Sequence, residues 1–159
     1  MGVDCIGKNP TSEIGKYFHN TWWSWRPLAD YACTVAPDIT AKCKSWQSND
    51  GDGLEASGAI ALADRLQAEI DSGRAENYAQ IRASQLERLP NVPCALCEGT
   101  GRRKPPPQSG RGDVRTGIKC NGCDGGGYVA DWDTYYSFDI DNLKEFVAFL
   151  RDSGGFSIN

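Results

Sequence analysis

The chain has 159 residues, of which 40 % are hydrophobic, and its 17 basic and 21 acidic side chains leave a formal charge of −4. That size and apolar content suit one compact domain carrying a small lobe. No apolar stretch reaches the length of a membrane span and the N-terminus lacks a signal-peptide core, so a cytoplasmic protein is expected; the negative balance argues against wrapping duplex nucleic acid through bulk charge.

In chain order, residues 1–20 read as mixed structure with turn chemistry at Gly7-Lys8-Asn9-Pro10 and Thr11-Ser12-Glu13. The densest aromatic block follows, Trp22-Trp23-Ser24-Trp25-Arg26-Pro27. Pro27 suits the first turn of a helix, and Leu28, Tyr31, Ala32 and Val35 recur at helical spacing before Pro37. Asp38 can cap a short second helix with Ile39, Cys43 and Trp46 on its face. After the turn-rich Ser48–Gly53 loop, a helix is predicted from Leu54 or Ser57 to Ser72, stopped by Gly73. Another should run from Ala75 to Leu89, turning Tyr78, Ile81, Leu86 and Leu89 inward. Tyr128-Val129 and Tyr135–Phe138 favour extended structure. A terminal helix over Asn142–Asp152 has a capping-box-like start at Asn142 and Glu145 and closes at Gly154-Gly155.

Two copies of one pattern interrupt this body: Cys94-Ala-Leu-Cys97-Glu-Gly99-Thr-Gly101 and Cys120-Asn-Gly-Cys123-Asp-Gly125-Gly-Gly127. Two residues between cysteines let one turn aim both sulfurs at one ion, and two such turns supply the four thiolates of a tetrahedral zinc site. Gly99 and Gly125 stand where a positive φ is needed to leave the turn, and Gly101 and Gly127 where a side chain would crowd the opposing backbone. One structural Zn²⁺ on Cys94, Cys97, Cys120 and Cys123 is therefore expected. Disulfides or a redox pair fit the matched glycines poorly, and Cys5, Cys33 and Cys43 remain as free thiols, as suits a reducing compartment. The repeat resembles the cysteine-rich zinc domain of the DnaJ co-chaperone family, which carries four such motifs and two zinc ions; here there are two, enough for one. The resemblance covers only Cys94 to Tyr128. The single histidine, His19, is followed by Asn20-Thr21 and not by the Pro-Asp of a J domain, so co-chaperone function is not implied.

The chain thus reads as α+β: a helix-rich body with an aromatic N-terminal segment (1–93), a four-cysteine, zinc-clamped β-hairpin (94–128), and a strand and C-terminal helix completing the body (129–159). Trp22, Trp23 and Trp25 beside Arg26 have the composition of a nucleotide pocket or an interface anchor, although three tryptophans so spaced cannot all face one way and some must be core. Asn49-Asp50-Gly51-Asp52-Gly53 offers oxygen donors but departs from EF-hand spacing, and a capping turn fits better. Arg102, Arg103 and Lys104, with Arg111, Arg115 and Lys119, concentrate positive charge that either meets an anionic partner or serves as a solvated surface. His19 has no acid partner visible in sequence, and no complete catalytic motif is present.

The Met1–Asp4 opening, the Asn9–Glu13 turn, the Trp22–Leu28 block, the Ser48–Leu54 loop and the paired knuckles together resemble small uncharacterised proteins of phages, prophages and bacteria. That resemblance implies a setting and not a mechanism; by analogy with small phage accessory proteins that lack catalytic motifs, the expectation is a phage-type accessory or counter-defence protein acting stoichiometrically in the host cytoplasm, capturing a host protein or a nucleotide-derived signal. The competing expectations are an enzyme acting on a nucleotide or nucleic acid, with His19, Asp50 and Asp52 as its polar groups, and a DnaJ-like client-binding module.

Overall fold

The computed structural model describes residues 2–103 and 117–159. The protein is α+β, and it divides into two compact units: Met1–Leu86 with Tyr135–Asn159, and Glu87–Thr134. In chain order the first half contains β1 (Gly2–Gly7), β2 (Tyr17–Thr21), α1 (Trp22–Val35), α2 (Pro37–Thr40), β3 (Gly53–Glu55), α3 (Ala56–Asp71) and α4 (Arg74–Glu87). The second half contains β4 (Val92–Pro93), β5 (Arg102–Arg103), β6 (Ile118–Lys119), β7 (Tyr128–Val129), a 3₁₀ turn at Trp132–Tyr135, α5 (Ile140–Asp152) and β8 (Gly155–Ile158).

The first unit is built on a four-stranded antiparallel sheet in the order β2-β1-β8-β3. Side chains alternate across it as the pleat requires. Val3, Cys5, Phe18, Asn20, Leu54, Phe156 and Ile158 are buried, while Tyr17 and His19 stand on the open face with Ile6. Helices α1, α3 and α5 cover the buried face with Trp25, Leu28, Leu62, Leu66, Phe146, Phe149 and Leu150. Aromatic rings knit this core: Phe146 lies 5.2 Å from Phe18 and 5.7 Å from Trp25, and Trp46 stacks at 6.1 Å on Trp25.

Several expectations are corrected. The N-terminal segment holds two paired strands, Gly2–Gly7 and Tyr17–Thr21, and a further strand, Gly155–Ile158, begins at the second of the two glycines that follow the terminal helix. Helix α1 begins at Trp22, because Thr21 accepts the Ser24 N–H in an N-cap bond; Pro27 therefore sits inside the helix, where its lack of an N–H leaves one i→i−4 bond unmade. Pro37 ends the helix by disfavouring helical backbone at Ala36, which adopts φ −135°. Cys43 and Trp46 are buried from the loop that follows α2. Leu54 belongs to β3, and Ile81 on α4 faces solvent. Tyr135 ends a 3₁₀ turn and Tyr136–Phe138 has no regular structure, in place of the expected strand. Asp139, not Asn142, caps α5 by accepting the Asp141 N–H, while the Asn142 amide oxygen accepts from the buried Asn20 side chain at 2.9 Å.

Candidate metal centre and aromatic surface

The second unit carries the two cysteine knuckles as near-copies. Cys94 N–H donates to the Gly127 carbonyl at 2.8 Å and Cys120 N–H to the Gly101 carbonyl at 2.9 Å, so each knuckle is fastened to the end of the other. Short ladders extend both sides: Val92–Pro93 pairs with Tyr128–Val129, and Arg102–Arg103 with Ile118–Lys119. Each turn exits through two residues at positive φ, Glu98 (53°) then Gly99 (81°), and Asp124 (48°) then Gly125 (80°). A Cβ built at Gly101 would strike the Gly125 carbonyl oxygen, and one at Gly127 the Gly99 carbonyl oxygen. Close backbone approach thus explains the last glycine of each motif.

Within this frame the Sγ atoms of Cys94, Cys97, Cys120 and Cys123 lie within 4.8 Å of one another, close enough to coordinate one metal ion. The cross-knuckle separations are 3.9 Å for Cys94–Cys120 and 3.7 Å for Cys97–Cys123. A disulfide requires about 2.05 Å, whereas a tetrahedron with metal–sulfur bonds of about 2.3 Å has edges of about 3.8 Å. The donor set and its spacing therefore fit a tetrahedral thiolate centre. Gly101 N–H donates to Cys97 Sγ and Gly127 N–H to Cys123 Sγ, both at 3.2 Å, favouring the thiolates. Burial pushes Cys123 up to about 11, while at Cys97 the burial penalty is outweighed by the Gly101 N–H and the neighbouring thiols, which bring it to about 7. A bound cation would draw all four toward the thiolate form.

Of the basic residues singled out in the sequence between the two knuckles, Lys104, Arg111 and Arg115 fall outside the described residues. Arg102 donates to the Gly117 carbonyl at 3.2 Å and Arg103 to Asn121 Oδ1 at 2.7 Å, while Lys119 pairs with Asp124 at 2.5 Å. These three groups thus brace their own hairpin.

The tryptophan block is divided by the helix that carries it. Trp25 is 0 % exposed and donates its indole N–H to the Trp46 carbonyl at 2.7 Å, so it is core and is withdrawn from any binding surface. Trp22 is half-buried against the same core. Trp23, at 39 % exposure, turns outward and packs at 5.5 Å against Tyr135 and 5.0 Å against Tyr136. Arg26, one helical turn on, lies over the Tyr136 ring with its guanidinium carbon 5.2 Å from the centroid. Tyr136 is itself anchored, its carbonyl accepting from Arg82 Nε at 2.8 Å. Sequence spacing links Trp23 to Arg26 but cannot reveal Tyr135 and Tyr136, which arrive from a distant segment and carry no motif of their own.

Other candidates resolve into structure. Asp52 accepts the N–H groups of Lys44, Ser45 and Gly53 at 2.6, 3.1 and 2.8 Å, and the Gly53 bond, followed by that of Lys44, holds its carboxyl below the usual range. It is a backbone peg for the loop. Cys5 and Cys43 are buried, and burial pushes Cys43 up to about 11 and Cys5 higher still, as befits unreactive core thiols. His19 acquires the acid partner that sequence did not reveal, because Asp4 stands opposite it in the β1–β2 register. Among the described residues, no helix is long and apolar enough to cross a membrane. A scan of protein families, a search of curated proteins and a search of solved structures each return no match.

Proposed function

We propose that this is a zinc-containing binding protein without catalytic turnover, which captures a partner protein through the surface formed by Trp23, Arg26, Tyr135 and Tyr136. Zinc is the natural occupant of four convergent thiolates in a closed tetrahedral set, and such a set leaves no position for substrate. Its work is then structural, clamping the knuckles. The observation that carries the binding role is the arginine laid on an aromatic ring beside an outward tryptophan. Trp, Tyr and Arg dominate interface hot spots, since each presents large contact area with a polar edge. Arg26 is also pre-positioned by Tyr136, which lowers the ordering cost of binding.

A nucleotide-derived ligand is the second reading, favoured by the Arg26 guanidinium standing over the Tyr136 ring, a cation beside aromatic faces that suits a phosphate and a base. Against it, Trp23 meets the two tyrosines at 51° and 53°, tilts that fill the space between rings and offer no parallel slot for a base. Either capture fits a phage-type accessory or counter-defence role in the host cytoplasm, the setting that the sequence resemblance suggests.

Native mass spectrometry on protein purified from host cells tests this. One zinc per chain, together with a partner mass that is lost in the folded Arg26→Ala variant, supports the proposal. Turnover of any member of a nucleotide panel, or a partner mass retained unchanged in Arg26→Ala, refutes it.

A further inference from the structure

The open face of the sheet holds a second constellation that the knuckles and the aromatic surface do not use. Tyr17 and His19 are two apart on β2 and so project from the same face, and Asp4 stands directly across from His19 on β1. Their polar atoms converge. Tyr17 Oη lies 2.5 Å from Asp4 Oδ1, His19 Nδ1 lies 2.7 Å from the same oxygen, and Oη and Nδ1 are 3.4 Å apart. The tyrosine and histidine rings run nearly parallel, with centroids 6.3 Å apart and planes 16° from each other. The strand beneath is fixed from its other side, since Asp4 N–H donates to the Asn159 carbonyl and Asn159 N–H to the Asp4 carbonyl at 3.0 and 2.8 Å.

We propose that Asp4, Tyr17 and His19 form a second metal site, a facial set of one carboxylate, one phenolate and one imidazole open to solvent on its far side. Three ligands on one face of an octahedron with bonds of about 2.1 Å are about 3 Å apart, which is the scale of this triangle. The chemistry of the set selects the ion. Carboxylate and phenolate are hard oxygen donors and imidazole a borderline nitrogen, a mixture suited to iron rather than to the soft-ligand ions that thiolates prefer. Binding releases the phenol proton to solvent and shifts the imidazole proton from Nδ1 to Nε2, so that phenolate, neutral imidazole and carboxylate face the cation, and the remaining coordination positions stay with water or an exogenous ligand. Placement on paired strands, not on a loop, keeps the three donors in register before the ion arrives.

The chain's single histidine makes the assignment testable. The folded protein as purified, with its zinc content recorded, is titrated with iron(III) supplied as the nitrilotriacetate chelate. One iron per chain should bind without loss of zinc and produce a visible phenolate-to-iron charge-transfer band. Tyr17→Phe, which keeps the ring and removes the donor, should abolish that band while leaving the circular dichroism unchanged. His19→Gln and Asp4→Asn should each weaken iron binding by on the order of tenfold or more. No band in the parent protein, a band that persists in Tyr17→Phe, or iron that binds only as zinc leaves would each overturn the proposal and leave a hydrogen-bonded surface cluster.

Discussion

Replacing glycine by alanine at two positions with the same backbone angle separates conformational strain from steric exclusion in the metal centre. Gly99 and Gly127 have φ of 81° and 80°, so each alanine incurs the same left-handed cost of about 1–2 kcal/mol. Their surroundings differ. A Cβ at Gly99 meets Pro93 Cβ at 3.5 Å, an ordinary contact, whereas one at Gly127 runs into the carbonyl oxygen of Gly99. Relieving that collision means parting the knuckles where Cys94 N–H bonds the Gly127 carbonyl, which forfeits about 1 kcal/mol more for the hydrogen bond and spreads the sulfurs. Gly99→Ala should therefore weaken metal binding by about 5- to 30-fold, and Gly127→Ala by at least another factor of about 5. Competition with a chromophoric chelator measures both. Equal losses in the two variants would refute the close-approach explanation of the final glycine.

Trp25→Ala should cost about 3–5 kcal/mol of stability in denaturant unfolding, while Trp23→Ala, on the same helix but facing out, should cost under about 1 kcal/mol. Cys94→Ser or Cys123→Ser should lose the metal and the amide dispersion of the two knuckles, Cys94–Gly101 and Cys120–Gly127, with the chemical shifts of the sheet unit retained. At Glu69, the Arg74 hydrogen bonds hold the buried carboxylate below its ordinary value of 4.5 against the cost of burial. A lowered folded-state value means stability fully present above the unfolded pKa and lost as pH falls through the folded one. Glu69→Gln should therefore flatten the stability profile below about pH 4.5 and leave its shape near neutrality unchanged; an unaltered acid limb would show that the pair contributes nothing.

How much was legible in the sequence depended on whether the signal was local. The knuckles were the most legible part, because two cysteines with two residues between them and two glycines beyond mark the turn and its sulfurs within eight positions, although the positive φ at Glu98 and Asp124 was not foreseen. Helices α3 and α5 were visible through apolar spacing. The four-stranded sheet was not. Its strands hold few β-branched residues, include Cys5 and Asn20 among their buried positions, and derive their pairing from partners distant in the chain. Trp25 and Trp23 look alike in sequence, and only the start of α1 at Trp22 decides which one is core. Strand register brought Asp4 to His19, and the irregular segment after the 3₁₀ turn brought Tyr136 to Arg26, contacts with no local trace.

The place of β8 between β1 and β3 has a consequence for synthesis. The strand that joins the two halves of the sheet follows every other element in the chain. Until the ribosome has released it, the β1–β2 ribbon carries a bare edge and Leu54 lacks its floor. Folding of this unit must then await the emergence of β8, which follows the knuckles in the chain. Removal of Gly155–Ile158 would strip the sheet of an inner strand, and a nascent chain stalled before that point would present a template for intermolecular strand pairing.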